Sequence, residues 1–219
     1  MAESVAGQVF HQHYFYLASL YKLIISDARY RASLSLASDL GLLVAIGGNN
    51  EAQAASGTVE TFDLLAKDGG VWTSRPEWNI PKEVNGHCSF YQAPHLYIVG
   101  GRHAGLEQPD TYRLDLSSPD ATWELMASMF EGKAAMGCVL DPQAAVFYVA
   151  GGGIDESAFS YDIAADTWSR MASLEQMRDG NGLGMVGGVL TTFGGRYSGE
   201  VITFEEYDGN RFELKRALF

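Results

Sequence analysis

Cysteine is scarce in this sequence, with Cys88 and Cys138 the only two among 219 residues. Two cysteines cannot form the network of bridges that stabilises small secreted domains, so we expect both to be buried and unpaired. A redox-sensing pair is the alternative, because they lie 12 and 13 residues before Gly100 and Gly151 and so at nearly equivalent places. Few cysteines and no signal peptide make the cytoplasm the default location.

Basic residues are also few. The chain has 15 Lys and Arg against 27 Asp and Glu, a net charge of −12. Binding to nucleic acid needs clustered cations for the phosphates, so this balance disfavours nucleic acid and anionic membrane surfaces. No apolar run approaches the roughly 18 residues of a membrane span.

Glycine, in contrast, is abundant at 25 residues, and Gly182, Gly184 and Gly187 match the G-x-G-x-x-G pattern of dinucleotide-binding loops. That pattern should open a helix. Here it is followed by VLTTFGG, whose β-branched and aromatic residues favour a strand. The motif therefore does not predict a nucleotide site.

A repeat explains the glycines. Four apolar runs, LLVAIGG, HLYIVGG, VFYVAGG and VLTTFGG, end in the pairs Gly47-Gly48, Gly100-Gly101, Gly151-Gly152 and Gly194-Gly195. Each pair is followed by a polar loop, then by a short strand signal ending in Asp, then by a large aromatic residue; the four aromatics are Trp72, Trp123, Trp168 and Phe212. Each unit predicts four short strands, and the G-x-G-x-x-G becomes a strand entering a two-glycine hairpin turn.

The glycine pair, the separated aromatic-Asp and the later Trp resemble the kelch repeat over residues 31–218. The resemblance implies an all-β fold, a kelch-type β-propeller with four four-stranded blades, at about 31–78, 79–130, 131–176 and 177–219. Leu114 departs from the aromatic-Asp pattern in the second unit, and Phe212 replaces Trp in the fourth.

Kelch propellers usually close with more than four blades, so we expect an incomplete ring in preference to a closed four-bladed one. The segment 1–30 lies outside the repeats. Its apolar residues at positions 10, 14, 17, 21 and 24 follow a helical spacing. Residues 21–25 equally suit a strand, and the segment could complete closure.

The loops after the glycine pairs are the candidate binding sites, because loops on a rigid scaffold commonly carry function. Arg102 and Arg196 directly follow their pairs, each with a ring beside it, and Asp155 with Glu156 holds the corresponding place in unit three. Arginine and aromatic residues are enriched at interaction hot spots; the candidate partner-binding residues are Arg102, His103, Arg196, Tyr197, Asp155 and Glu156.

The resemblance to kelch-like substrate adaptors of ubiquitin ligases implies a non-enzymatic module that captures a protein or peptide partner. Actin, which some kelch proteins bind, is disfavoured because it is acidic like this chain. The alternative is an enzyme on the same scaffold, of the sugar oxidase or epimerase type.

A metal centre is not expected. His87, His95 and His103 fall in one unit, and a copper oxidase on this scaffold would need two His and two Tyr ligands that converge. The spacing of these histidines spreads them along the blade instead. His11 and His13 form a pair with no third ligand nearby. We therefore predict neither a metal nor another cofactor.

Overall fold

The computed structural model describes residues 29–67, 69–153, 155–196 and 203–216, and this part of the chain is all-β, as predicted. The segment 1–28, on which the helix and strand alternatives fall, and the His11/His13 pair lie outside the described residues. A short 3-10 turn at Pro76–Trp78 interrupts the β-structure. The strands are β1 (Ser33–Ala37), β2 (Leu42–Ile46), β3 (Val59–Asp63), β4 (Trp72–Ser74), β5 (Cys88–Gln92), β6 (His95–Val99), β7 (Arg102–His103), β8 (Leu106–Glu107), β9 (Thr111–Asp115), β10 (Glu124–Leu125), β11 (Gly137–Asp141), β12 (Val146–Ala150), β13 (Ala158–Asp162), β14 (Thr167–Arg170), β15 (Gly182–Val186), β16 (Val189–Phe193), β17 (Thr203–Tyr207) and β18 (Phe212–Arg216).

These strands form four antiparallel sheets of four strands each. Sheet 1 is β1-β2-β3-β4, sheet 2 is β5-β6-β9-β10, sheet 3 is β11-β12-β13-β14 and sheet 4 is β15-β16-β17-β18. The small β7-β8 hairpin is inserted between the second and third strands of sheet 2. Each sheet is a simple meander and falls within one predicted repeat unit.

The glycine pairs directly follow the second strand of each sheet. Gly47 shows why the residue is glycine: its φ is +57°, and an added Cβ would lie 2.8 Å from the carbonyl oxygen of Val84 in the next unit. Gly187 and Gly188, at φ +59° and +85°, form the turn that pairs Val186 with Val189. The predicted two-glycine hairpin is therefore confirmed.

Register makes the four units comparable. The residue before each glycine pair is always paired with the first residue of its sheet: Ile46 with Ser33, Val99 with Cys88, Ala150 with Gly137 and Phe193 with Gly182. Positions in different units are called equivalent below when they share this register.

Successive sheets pack face to face through apolar side chains. Sheets 1 and 2 bury Val44, Ile46, Leu96, Ile98 and Leu114 between them. Sheets 2 and 3 enclose the largest cluster, in which Phe90 stacks on Phe147, and sheets 3 and 4 bury a smaller one. Burial of these faces is the main favourable contribution to packing between units.

Backbone hydrogen bonds recur at every interface between units. The second glycine of one unit donates to a carbonyl of the next: Gly48 to Val84, Gly101 to Lys133 and Gly152 to Arg178. A second chain of bonds links four equivalent residues with φ near +60°, which we call the inner row: Arg31, Gly86, Ala135 and Gly180. Each later member donates its N–H to the carbonyl of the preceding one, at 2.7–2.8 Å.

The expectation of unpaired cysteines is wrong. Cys88 in β5 and Cys138 in β11 form a disulfide between the first strands of sheets 2 and 3. In the shared register, Cys138 is equivalent to Ser89, one position after Cys88. Successive residues of a strand point to opposite faces of the sheet, so Cys88 and Cys138 point toward each other across the interface. A structural disulfide is typical of oxidising compartments, so the argument for the cytoplasm from scarce cysteines loses its basis.

Candidate functional site: a pocket between the first two units

An open pocket of about 540 Å³ lies between units one and two. Its volume is in the range that ligand-binding clefts occupy. Both units contribute to it through the segment before their first strand and the loop after their glycine pair. The lining residues are Tyr30, Arg31, Asn49, Gln53, Ala55, Asn85, Arg102, Ala104 and Gly105.

Two equivalent backbone bridges join four of the lining residues in pairs. Tyr30 and Asn49 exchange both N–H···O bonds at 3.0 and 2.8 Å, and Asn85 and Arg102 do the same at 3.2 and 2.8 Å. Each bridge joins the segment before the first strand to the residue that follows the glycine pair. This reciprocal pairing holds the residue after each glycine pair against the segment that precedes the first strand.

Arg31 is the residue that sequence reasoning missed. It belongs to the inner row, where units two and four have Gly86 and Gly180, and its φ of +57° is unfavourable for any side chain with a Cβ. Its own side chain is exposed and lines the pocket. Gln53 and Ala104, which also line it, have φ of +61° and +48°. Strained backbone of this kind concentrates at functional sites.

Arg102 faces the same pocket from unit two. One guanidinium nitrogen donates to Glu107 at 2.7 Å, which leaves other N–H donors of its five for a ligand. Its side chain is 39% exposed. The pocket lining therefore includes two arginines, one from each unit.

Asn49 also belongs to the lining of the pocket. Its side chain is buried, yet its oxygen Oδ1 has no hydrogen-bond partner in the described part of the chain. A buried carbonyl oxygen without a donor is costly. This oxygen is not exposed to the pocket, so the residues that suit a ligand there are the two arginines, which match an acidic group.

The other predicted residues of units two and four do not converge on this pocket. The Nδ1 atom of His103 contacts the backbone oxygen of Glu83 at 2.8 Å. Arg196 is equivalent to Arg102 and forms the same backbone bridge, here with Asp179, and its side chain is 73% exposed. Tyr197 lies outside the described residues.

Asp155 is engaged within unit three. It forms an ion pair with the buried side chain of Lys133 and accepts hydrogen bonds from the hydroxyl and the N–H of Ser157 at 2.6 and 2.9 Å. Burial acts to raise the pKa of Asp155, but the bonds from Lys133 and Ser157 outweigh it and hold the pKa below its ordinary value of 3.8. The backbone oxygen of Glu156 accepts the N–H of Leu174. Glu156 thus holds the segment after β14 through its backbone oxygen.

The Lys133–Asp155 pair belongs to a recurring structural motif. Arg29, Lys133 and Arg178 are equivalent; each contacts the carbonyl oxygen of the first glycine in its own pair, at 3.3, 3.0 and 2.8 Å. Each also pairs with an acid at or near the third strand, and these acids are Glu60, Asp155 and Glu205. A basic residue 16 or 18 positions before a glycine pair was the signal in the sequence. Unit two also has one, Lys82, which pairs with Asp110, but by register the equivalent place is held by Val84.

Within the ranges that the structure describes, no group of three or more His, Cys, Asp or Glu residues is arranged to hold a metal ion. His87 is buried with its Nε2 atom 2.7 Å from the hydroxyl of Ser33, and His95 stands at the opposite end of the β5-β6 hairpin. Nor does the described part of the chain contain a helix long and apolar enough to cross a membrane.

Comparison with known proteins leaves the pocket as the main evidence on function. No protein-family model matches the chain, and no curated protein matches it.

Proposed function

We propose that the chain is a kelch-type β-propeller whose four sheets are its blades, and that it is a non-enzymatic protein-interaction module. The supporting features are the meander order of each sheet, the glycine pair after each second strand, and the face-to-face packing of successive sheets. The module captures its partner in the manner of substrate receptors in ubiquitin ligases, without chemistry of its own.

The partner segment is an extended peptide with at least one Asp or Glu. The single observation that carries this proposal is the pocket between units one and two, whose lining includes Arg31 from one unit and Arg102 from the other. A peptide carboxylate forms charge-assisted, bidentate hydrogen bonds with arginine. Arg196, at the equivalent place in unit four, offers a further contact for a longer acidic partner.

The experiment is a selection from a random-peptide display library on the full chain, followed by anisotropy titration of the enriched peptides. The variants are Arg31→Ala and Arg102→Ala. Arg113→Ala is the matched control, because Arg113 is a partly exposed arginine on β9 that pairs with Glu124 outside the pocket.

Enriched peptides should carry an acidic residue. Each pocket variant should weaken their binding by about tenfold or more, since a hydrogen bond to a charged group contributes about 1.5–3 kcal/mol. The control should bind like the unmodified chain. Enriched peptides without acidic residues, or undiminished binding to both pocket variants, would overturn the proposal.

A further inference from the structure

The two ends of the row of sheets each carry one half of the interface that recurs between units. In the first three sheets, the residue before the glycine pair is 0%, 0% and 1% exposed, at Ile46, Val99 and Ala150. In sheet 4, the last of the row, the equivalent Phe193 is 40% exposed. Val186 and Val189, at the other end of the β15-β16 hairpin, are 58% and 37% exposed. We call this apolar surface of sheet 4 the back face.

Gly194 confirms that the back face is uncovered by described residues. A Cβ added at Gly47, Gly100 or Gly151 would lie 2.8, 2.5 or 2.7 Å from a carbonyl oxygen of the following unit. One added at Gly194 would meet nothing within 4 Å. The glycine pair of unit four is thus shaped for a neighbour that the described chain does not supply.

The opposite end has the matching half. Trp123 donates its indole N–H to Trp78 of the preceding unit at 2.8 Å, and Trp168 donates to Ala127 at 3.0 Å. The equivalent Trp72 has a buried indole nitrogen with no partner among the described residues. Within the described chain, this buried nitrogen lacks the linker acceptor that Trp123 and Trp168 have.

Apolar side chains are uncovered at this end as well. Leu43 is only half-buried, whereas the equivalent Leu96, Phe147 and Leu190 are 0%, 1% and 5% exposed. Leu36 on β1 is 42% exposed. This surface of sheet 1, around Trp72, Leu43 and Leu36, is the front face.

We infer that the back face of one chain docks on the front face of a second copy, as a continuation of the interface between units. Between units of one chain, a back face covers a front face in the same register three times. A second copy offers the front face that sheet 4 lacks, in the register that the three interfaces within the chain already use. The contact is heterologous, so each copy keeps one free face for the next copy.

The test uses Phe193→Glu to block the back face and Leu36→Glu to block the front face. Both side chains are already well exposed, so the fold should tolerate the change. Leu125→Glu is the matched control, an exposed leucine on β10 away from both faces. Val189→Lys repeats the back-face test at an independent position.

The measurement is mass by light scattering over a concentration series. The unmodified chain and Leu125→Glu should rise above the 23.8 kDa of one chain, while each face variant alone should stay at that mass. A mixture of Phe193→Glu and Leu36→Glu should form a one-to-one dimer, because each keeps the face that the other has lost.

Three results would overturn the proposal. One is an unmodified chain that stays monomeric over the whole concentration series. That result would mean that both faces are covered by the chain itself or by a different partner. Another is self-association that persists in either single variant, the mark of a symmetric contact. The last is failure of the two variants to combine. Peptide capture at the pocket uses other residues, so its outcome is independent of these.

Discussion

At the scale of single residues, the same backbone strain occurs at one residue that lines the pocket and at one that does not. Arg31 and Ala135 occupy equivalent positions of the inner row with φ of +57° and +55°, where the other two members are glycine. A side chain in this region costs roughly 1–2 kcal/mol, partly offset by the lower entropy of a non-glycine residue in the unfolded chain. Only Arg31 lines the pocket.

Glycine at either position should therefore raise the free energy of unfolding, by up to about 1 kcal/mol. Urea denaturation of Arg31→Gly and Ala135→Gly measures this gain. The acidic peptide should lose affinity for Arg31→Gly alone. A stability loss in Arg31→Gly would show that its side chain supports the fold and that the strain has no part in binding.

The buried ion pairs make a second prediction at this scale. Arg178 and Glu205 are both 0% exposed and 3.0 Å apart, and Glu205 also accepts the N–H of Glu175 at 2.5 Å. Removing one member leaves a buried charge uncompensated, so Glu205→Ala should cost about 3–5 kcal/mol in urea denaturation.

The exposed pair of Arg113 and Glu124, 2.6 Å apart on β9 and β10, is the control. Glu124→Ala should cost under about 1 kcal/mol, because water screens an exposed pair. Equal losses in the two variants would argue that the recurring basic residue contributes no more than a surface contact.

At the scale of elements, the disulfide joins strands that no backbone ladder connects. Cys88 and Cys138 are 50 residues apart in sequence, and the bond crosses the interface of sheets 2 and 3. Closing a loop of that length restricts the unfolded chain, so Cys88→Ala/Cys138→Ala should lose about 2–4 kcal/mol under non-reducing conditions. Thiol titration of the denatured, unreduced chain should find no free thiol; two titratable thiols would contradict the bridge.

Trp168 in sheet 3 bonds to the preceding unit, whereas the equivalent Trp72 in sheet 1 has no such bond in the part of the chain that the structure describes. Trp168 is buried and donates to the linker carbonyl of Ala127, so Trp168→Phe leaves that oxygen unpaired and should cost about 1–3 kcal/mol. Trp72→Phe should cost less, under about 1 kcal/mol, since its indole nitrogen has no acceptor among the described residues. Denaturation of both variants gives the comparison, and a larger loss for Trp72→Phe would mean that its N–H is paired.

At the scale of the whole molecule, the net charge of −12 acts oppositely on the two proposed contacts. Two copies repel each other, and salt screens that repulsion, whereas salt weakens an acidic peptide held by Arg31 and Arg102. Raising the salt from about 0.05 M to about 0.5 M should strengthen self-association and weaken peptide binding. Light scattering and anisotropy on the same samples give both trends, and parallel trends would contradict one of the two assignments.

The all-β class and the four-stranded units were predictable because their signals are local. Glycine pairs, two-residue turns and short apolar runs such as VFYVA act within one unit, through backbone conformation and strand periodicity. The disulfide was missed because the two cysteines sit one register position apart in different units. Arg31 was missed because no local pattern marks a residue whose backbone has positive φ.

The sequence by itself determined the repeat, the strands and the places where the chain must turn, since these depend on residues close together in the chain. Only the tertiary structure decided which acids pair with Lys133 and Arg178, that Cys88 meets Cys138, and that Arg31 and Arg102 share a pocket. Those contacts depend on how neighbouring sheets stack, and packing between units brings together residues that the sequence holds tens of positions apart.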